Sequence, residues 1–108
     1  MIEVLVSKIM LAKVTAAEKK YKGSITLDPE YMEAANMYPW QRVEVNARDK
    51  DVRIVTYILE GERGRGQVEL NGGAAQYFSA GDIIHINAYG MISEDNARSH
   101  TPTILKHI

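Results

Sequence analysis

Short apolar runs rich in valine, isoleucine and tyrosine recur along the chain, separated by clusters of turn residues. The runs predict strands at residues 2–6, 43–45, 52–59, 67–70 and 82–89, and a shorter β-rich segment covers 25–27. Glycine, asparagine and aspartate cluster between them and predict turns at residues 49–51, 61–66, 71–73 and 80–82. This pattern indicates a mainly β protein.

Two short helices interrupt the strands. Asp28 is suited to cap a helix that has Pro29 at its first position and ends at about Asn36. Ser93 is suited to cap a second helix, over residues 94–98, whose first turn carries two acidic side chains. The pattern contains no alternation of strands with helices long enough for a doubly wound parallel sheet.

The many short strands favour a closed β-barrel with short helices, because closure removes the exposed edges of a small sheet. No internal repeat, low-complexity tract or Pro/Gly/Ser linker divides the sequence, so residues 1–108 are predicted to form a single domain. A chain of 108 residues is long enough to bury a core without disulfide or metal staples.

Composition narrows the classes of function. A formal net charge of -1 argues against a dedicated nucleic-acid surface, which needs an excess of lysine and arginine on one face. The lack of cysteine excludes disulfides, thiolate metal sites and cysteine nucleophiles. The first residues lack the basic start and cleavage site of a signal peptide, and no apolar run approaches the ~20 residues of a membrane span. We therefore expect a soluble, cytoplasmic protein.

Histidines and glycine-rich stretches carry little chemistry by themselves in this sequence. No HExxH or HxH spacing occurs, which argues against a metal site. His85 lies in an apolar strand and is interpreted as structural. The stretch GERGRG at residues 61–66 lacks the ending of a P-loop and is interpreted as a hairpin turn with solvated arginines.

The stretch YKGSIT, at residues 21–26, admits a less common chemistry. Ser24 has no adjacent histidine base and no GxSxG context, so a conventional serine hydrolase is not favoured. Its hydroxyl can instead attack the carbonyl of Gly23 and convert the peptide bond into an ester, given a strained turn and donors for the oxyanion. Glycine suits the position because it tolerates unusual backbone angles. The alternative is that these two residues merely turn the chain.

Motifs spread over nearly the whole sequence carry a family resemblance. They are SKI at 7–9, KVT at 13–15, YKGSITLD at 21–28, RIVTY at 53–57, ERG at 62–64, NGGAA at 71–75 and GDIIHINAY at 81–89. In this order and spacing the chain resembles the pyruvoyl-dependent aspartate 1-decarboxylase family. The resemblance implies a double-psi β-barrel that assembles as a homotetramer, with active sites between neighbouring subunits.

The resemblance also implies that the chain cleaves itself. The break would fall between Gly23 and Ser24, giving a β-chain of residues 1–23 and an α-chain of residues 24–108. Thr56 matches the residue that polarises the Gly23 carbonyl during activation. The motifs do not specify whether an accessory maturation protein takes part.

A covalent pyruvoyl cofactor generated from Ser24 is implied in turn. In the family this group forms a Schiff base with the substrate and acts as an electron sink when CO2 departs. L-Aspartate would yield β-alanine for pantothenate biosynthesis. Tyr57 matches the residue proposed to return a proton to the decarboxylated product.

Further residues match positions around the family's substrate. Lys8 and Arg53 match the residues that bind its carboxylates, and a planar guanidinium suits bidentate recognition of such groups. Tyr21 matches a residue near the cleavage site. The wall of the substrate pocket is matched by Asn71, Gly72, Gly73 and Ala74.

Other interpretations stay open. Thr56 and Tyr57 also fit as ordinary strand residues, Arg53 as a surface charge and NGG as a hairpin turn. Met10-Leu11 stands where the family commonly has His-Arg, and NGGAA replaces the usual NGAAA. The alternative functions are decarboxylation of another acidic amino acid, such as glutamate, and an unprocessed barrel that acts as a binding or structural module.

Overall fold

The computed structural model describes residues 1–20, 23–106 and 108. Its strands are β1 (Ile2–Lys13), β2 (Ala16–Glu18), β3 (Ser24–Leu27), β4 (Arg42–Ala47), β5 (Arg53–Glu60), β6 (Val68–Asn71), β7 (Ile83–Ile92) and β8 (Thr103–Lys106). The helices are α1 (Pro29–Ala35), the 3-10 helix Gly72–Gln76 and α2 (Glu94–Ala97). None of the helices in the described part of the chain has the length and apolar character that crossing a bilayer would require.

The strands form one mixed sheet in the order β2-β6-β3-β5-β4-β7-β1-β8. Strand β3 lies in its middle, parallel to β5 on one side and antiparallel to β6 on the other. Strand β1 pairs antiparallel with β7 and parallel with β8. The mainly β class predicted from the sequence is confirmed, and this arrangement is consistent with a small β-barrel.

One face of the sheet supplies the core. Alternate residues of a strand point to opposite faces, so Val43 and Val45 of β4 are buried while Arg42, the first residue of the same strand, is exposed. The neighbouring strands add Ile58 of β5 and Ile86 of β7, both fully buried. Other fully buried side chains are Ile9, Ile25, Leu27, Leu70 and Ile84.

Asp28 connects helix α1 to the loop that follows β5. Its buried carboxylate caps the helix by accepting the Glu30 N–H at 2.8 Å, and it also accepts the N–H groups of Gly64 at 3.2 Å and Gly66 at 2.7 Å. Burial on its own would raise the pKa of this carboxyl, but the three N–H donors and the charge of Arg63 lower it overall. The predicted capping role of Asp28 is confirmed.

The predicted hairpin at residues 61–66 is wrong. Strands β5 and β6 are not paired with each other, because β3 lies between them. The loop instead lies against α1, where Arg63 forms an ion pair with Glu33. Gly64 and Gly66 have φ values of 86° and 67°, which allow their N–H groups to face Asp28.

His85 supports an irregular place in β1. The register with β7 shifts between Ile9 and Ala12, and Leu11 there has a left-handed φ of 59°. The Leu11 N–H donates to Nδ1 of His85 at 3.2 Å. Burial, followed by the charges of Lys8 and Arg48, lowers the pKa of His85 and favours the neutral ring that accepts this bond.

Candidate active site

A pocket of about 510 Å³ opens where β3 begins. Its wall includes five residues that the sequence assigned to the site: Gly23, Thr56, Tyr57, Gly73 and Ala74. The other lining residues are Ile54, Val55, Gln76 and Tyr77. No lysine, arginine, aspartate or glutamate lines the pocket among the residues that the structure describes. The described wall of this cleft is therefore neutral, and the cleft leads to the Gly23-Ser24 junction.

Ser24 is the first residue of β3 and is fully buried. Strand β6 places Asn71 directly opposite it in the antiparallel register. Nδ2 of Asn71 donates to Oγ of Ser24 at 2.9 Å and to Oγ1 of Thr26 at 2.9 Å. Asn71 is itself only 4% exposed, so this amide holds the serine hydroxyl in a site shielded from water.

Strand β5 brings Thr56 and Tyr57 to the same junction. The parallel register of β3 and β5 pairs Ile25 with Ile58. Carried back along both strands, this register places Ser24 beside Tyr57 and Gly23 beside Thr56. Gly23, Thr56 and Tyr57 accordingly line one pocket.

The segment after Asn71 forms the opposite wall. It is a 3-10 helix, Gly72–Gln76, where the sequence predicted a turn. Gly72 is buried and has a φ of 63°, a conformation that favours glycine. Gly73 is exposed, and a Cβ built on it meets nothing within 4 Å. The first glycine is therefore required by the backbone, whereas the second leaves open space in the pocket.

The two predicted carboxylate-binding residues lie outside this pocket. The Arg53 side chain is 71% exposed, with its Nε 3.0 Å from Oδ1 of Asn46 and 3.9 Å from Oε1 of Glu44. Half-buried Lys8 lies on β1, opposite Asn87 of β7. Three strand spacings, about 14 Å along the sheet, separate β1 from β5.

Lys8 and Arg53 nevertheless share one face of the sheet with Tyr57. Asn87 of β7 pairs with Lys8 on one side and with Glu44 of β4 on the other. Two residues to either side of Glu44 along β4, one residue pairs with Arg53 of β5 and the other with Tyr57. Residues paired in this way project to the same side of a sheet. The face that carries Tyr57 at the pocket therefore also carries both candidate cations.

A smaller depression, of about 250 Å³, lies on this face and shares Val55 with the pocket. Glu3 and Glu44 line it together with Arg42 and Tyr89. Its two carboxylates would repel an anionic ligand, and Gly23 is not among its lining residues. The pocket at the Gly23-Ser24 junction is therefore the better candidate for the site.

Sequence reasoning missed Trp40. Its ring stacks on Tyr57, with centroids 5.8 Å apart and planes at 22°. Trp40 belongs to the loop between α1 and β4, and the strand pattern contains no signal for a contact between that loop and β5. Gln76 and Tyr77 were missed as well, although they directly follow the predicted NGGAA wall.

Comparison with known proteins identifies the family. A family model for aspartate decarboxylase matches residues 1–107. The chain belongs to the aspartate decarboxylase family. The aspartate 1-decarboxylase of Bacteroides thetaiotaomicron is 44% identical over 105 residues, which are 97% of this chain and 90% of the relative. That of Listeria monocytogenes (strain EGD-e) is 42% identical over 98 residues, 91% of this chain and 77% of the relative.

Within this member of the aspartate decarboxylase family, the site residues fall into two groups. Those expected to act on the Gly23-Ser24 bond meet in space, because strands β3, β5 and β6 are neighbours in the sheet. Those expected to bind substrate carboxylates, Lys8 and Arg53, lie apart from the pocket on a shared face. Tyr21 lies outside the described residues.

Proposed function

We propose that this protein decarboxylates L-aspartate to β-alanine and CO2, with a pyruvoyl group made from its own Ser24, and supplies pantothenate biosynthesis in the cytoplasm. The observation that carries the proposal is the contact between buried Ser24 and Asn71, next to a pocket that is lined by Gly23, Thr56 and Tyr57. Membership of the aspartate decarboxylase family supports the same reaction.

The residues present fit the formation of a pyruvoyl group. The Ser24 hydroxyl is held by a side-chain amide that can orient it, and Gly23 has open space around its Cα, since a built Cβ meets nothing within 4 Å. Attack by Oγ forms an ester with the Gly23 carbonyl carbon as the peptide C–N bond breaks and the Ser24 amine is released. Thr56, which lines the same pocket as Gly23, would polarise that carbonyl.

Cleavage follows from the ester by elimination. The Gly23 carboxylate leaves with the Cβ–Oγ electron pair, a base takes the Cα proton of residue 24, and dehydroalanine remains. Water then displaces its nitrogen as ammonia and leaves a ketone. The products are chains 1–23 and 24–108, the second of which begins with the pyruvoyl group. When bound to substrate, this group supplies an electron sink for decarboxylation.

The protein's own residues then bind the substrate and protonate the decarboxylated product. Asn71 and the Gly72–Ala74 segment shape the wall next to residue 24, and Tyr57 supplies a phenol proton donor at the pocket. Aspartate carries two carboxylates, whereas the described pocket wall is neutral. We therefore assign Lys8 and Arg53 to carboxylate binding across an interface between subunits of a homotetramer, where the exposed face of one copy meets the pocket of another.

Denaturing mass spectrometry of the purified protein, before and after warming, tests the proposal. We expect two fragments that divide between residues 23 and 24, and β-alanine formation that rises with the processed fraction. Ser24→Ala should remain intact and inactive, because no hydroxyl is left to attack. Ser99→Ala, which removes an exposed hydroxyl, should be processed as the parent protein is.

Each other outcome has a definite meaning. Fragments from Ser24→Ala would contradict attack by this serine. A parent chain that stays intact after prolonged warming would instead indicate an unprocessed binding or structural module. A processed chain that releases CO2 from glutamate faster than from aspartate would show that glutamate is the substrate, and the proposed pyruvoyl chemistry would be unaffected.

A further inference from the structure

Trp40 is the neighbour that holds the ring of Tyr57. The two rings stack with centroids 5.8 Å apart and planes at 22°. Trp40 is 72% exposed and is not part of the pocket wall, so the stack is its clearest contact with the site. We infer that Trp40 is a positioning residue, which keeps the Tyr57 phenol aimed at the substrate; this rests on the proposed function, in which Tyr57 donates a proton.

The backbone around Trp40 is built to present its ring at this place. Trp40 has a φ of 70°, an unusual conformation for a bulky side chain. Its N–H donates to the Ile58 carbonyl at 2.7 Å, and the Ile58 N–H donates to the Gln41 carbonyl at 3.1 Å. The N–H and the carbonyl of Ile58, the residue after Tyr57, thus both anchor the loop. These bonds hold Trp40 beside β5 in spite of its strained backbone.

Tyr57 depends on such a neighbour because of its position on the sheet. It lies on the face opposite the core, paired with Arg42 of β4, and is only half-buried. Exposed side chains change rotamer within picoseconds to nanoseconds. A proton donor must stay within hydrogen-bond reach of the atom it protonates. The stack restricts the phenol, and Trp40 itself does not line the pocket.

Replacement of Trp40 separates positioning from general structure. Trp40→Leu removes the stack, and Trp40→Phe keeps an aromatic ring; both are L residues at the same backbone position, so the strain at φ 70° is matched. In fully processed protein we expect Trp40→Leu to lower kcat about tenfold with KM for aspartate unchanged, because the ring touches Tyr57 and not the pocket. Trp40→Phe should retain most of kcat.

The Tyr57→Phe background tests whether Trp40 acts through the phenol. That variant keeps a ring to stack on and loses the proton, so adding Trp40→Leu should lower kcat no further. An equal loss in both backgrounds would overturn the inference, since Trp40 would then act without the Tyr57 hydroxyl. Unchanged kcat for Trp40→Leu in the otherwise unaltered protein would overturn it as well.

A spectroscopic readout tests the stack independently of activity. Trp40 is the single tryptophan of the chain, so the long-wavelength near-ultraviolet circular dichroism reports on it alone. Tyr57→Leu should weaken this signal, and Tyr38→Leu, an exposed tyrosine of the same loop, should not. Equal spectra for both variants would contradict the stack. A processed parent protein that makes no β-alanine would refute the proposed function itself, and the positioning role with it, while the spectrum would still report the stack.

Discussion

Nδ2 of Asn71 lies 2.9 Å from Oγ of Ser24, across the paired strands β6 and β3. Because both residues are buried, this bond helps to orient the hydroxyl. We predict that Asn71→Ala slows self-cleavage about fivefold to tenfold, the effect of losing a hydrogen bond worth about 1 kcal/mol. The fraction of intact chain, followed by mass spectrometry during warming, measures the rate.

Thr26→Val is the matched control for Asn71. It removes the second acceptor of the same amide, whose Oγ1 also lies 2.9 Å from Nδ2, and leaves the contact with Ser24. The rate should stay close to that of the parent. If both variants are slowed equally, Asn71 acts through packing of the strand pair and not through the serine hydroxyl.

Thr56→Val should slow cleavage for a separate reason. The substitution preserves the shape of the side chain and removes the hydroxyl of a residue that lines the pocket together with Gly23. Loss of one oxyanion donor typically costs about a hundredfold in rate. Thr56→Ser keeps the hydroxyl and should cleave nearly as the parent does; slow cleavage in Ser and Val variants alike would assign Thr56 a packing role instead.

Arg53→Lys tests the assignment of this exposed guanidinium to a substrate carboxylate. Lysine keeps the charge but loses the planar, bidentate geometry, at a cost of about 1.5–3 kcal/mol for a charge-assisted contact. KM for aspartate in the processed enzyme should rise by roughly tenfold or more. Arg65→Lys, an exposed cation paired with Glu62, should leave KM unchanged. Equal KM values for parent and Arg53→Lys would remove Arg53 from the site.

The adjacent glycines of the pocket wall should respond oppositely to alanine. Gly73→Ala has open space for its Cβ and restricts the unfolded chain, so stability should rise by about 0.4–1 kcal/mol. Gly72→Ala places a Cβ at a φ of 63° and should lower stability by about 1–2 kcal/mol. Urea unfolding in the Ser24→Ala background, where the chain stays intact, measures both; the same sign for both would contradict the backbone angles described here.

Acid should unfold the protein partly through Asp28. Its pKa in the folded state lies below the ordinary value of 3.8, so its contribution to stability is present above that pH and is lost as the pH falls through the lower folded value. Asp28→Asn should therefore be less stable than the parent at neutral pH, and the gap should shrink as the pH falls below 3.8. Asp51→Asn, at an exposed carboxylate, is the control; a gap that is constant with pH would show that the charge of Asp28 is not involved.

The elements that sequence predicted best are those whose local pattern and environment agree. Strand β4 alternates between buried apolar and more exposed polar residues, and β7 begins with a run that is mostly apolar and buried. Helix α1 begins after a capping aspartate that is followed by proline. Strand β2, with the sequence Ala-Ala-Glu, has no intrinsic preference for extension and exists because β6 pairs with it. Strand β8 likewise depends on parallel pairing with β1.

The candidate site was predictable only where the residues belong to the family motifs. Asn71, Thr56 and Tyr57 were named from resemblance. Their proximity to Ser24 became visible only with the sheet order, since β3 inserts between β5 and β6, which follow each other along the chain. Trp40 could not be named, because its contact with Tyr57 depends on how one loop is tied to Ile58. Helix α2 shows the same limit at Ser93, whose predicted side-chain cap does not form.

The position of β3 between β5 and β6 has a consequence for the order in which folding and cleavage occur. The proposed cut releases a new terminus at Ser24, yet β3 remains paired with β5 and β6, and β1 remains paired with β7 along most of its length. The two products would thus stay together as a split protein without a covalent link. Folding as one chain gives the halves a high effective concentration for each other, which separately made fragments would lack. Cleavage should therefore follow folding. If the chain were cut before the sheet assembles, the two fragments would have to meet by bimolecular association.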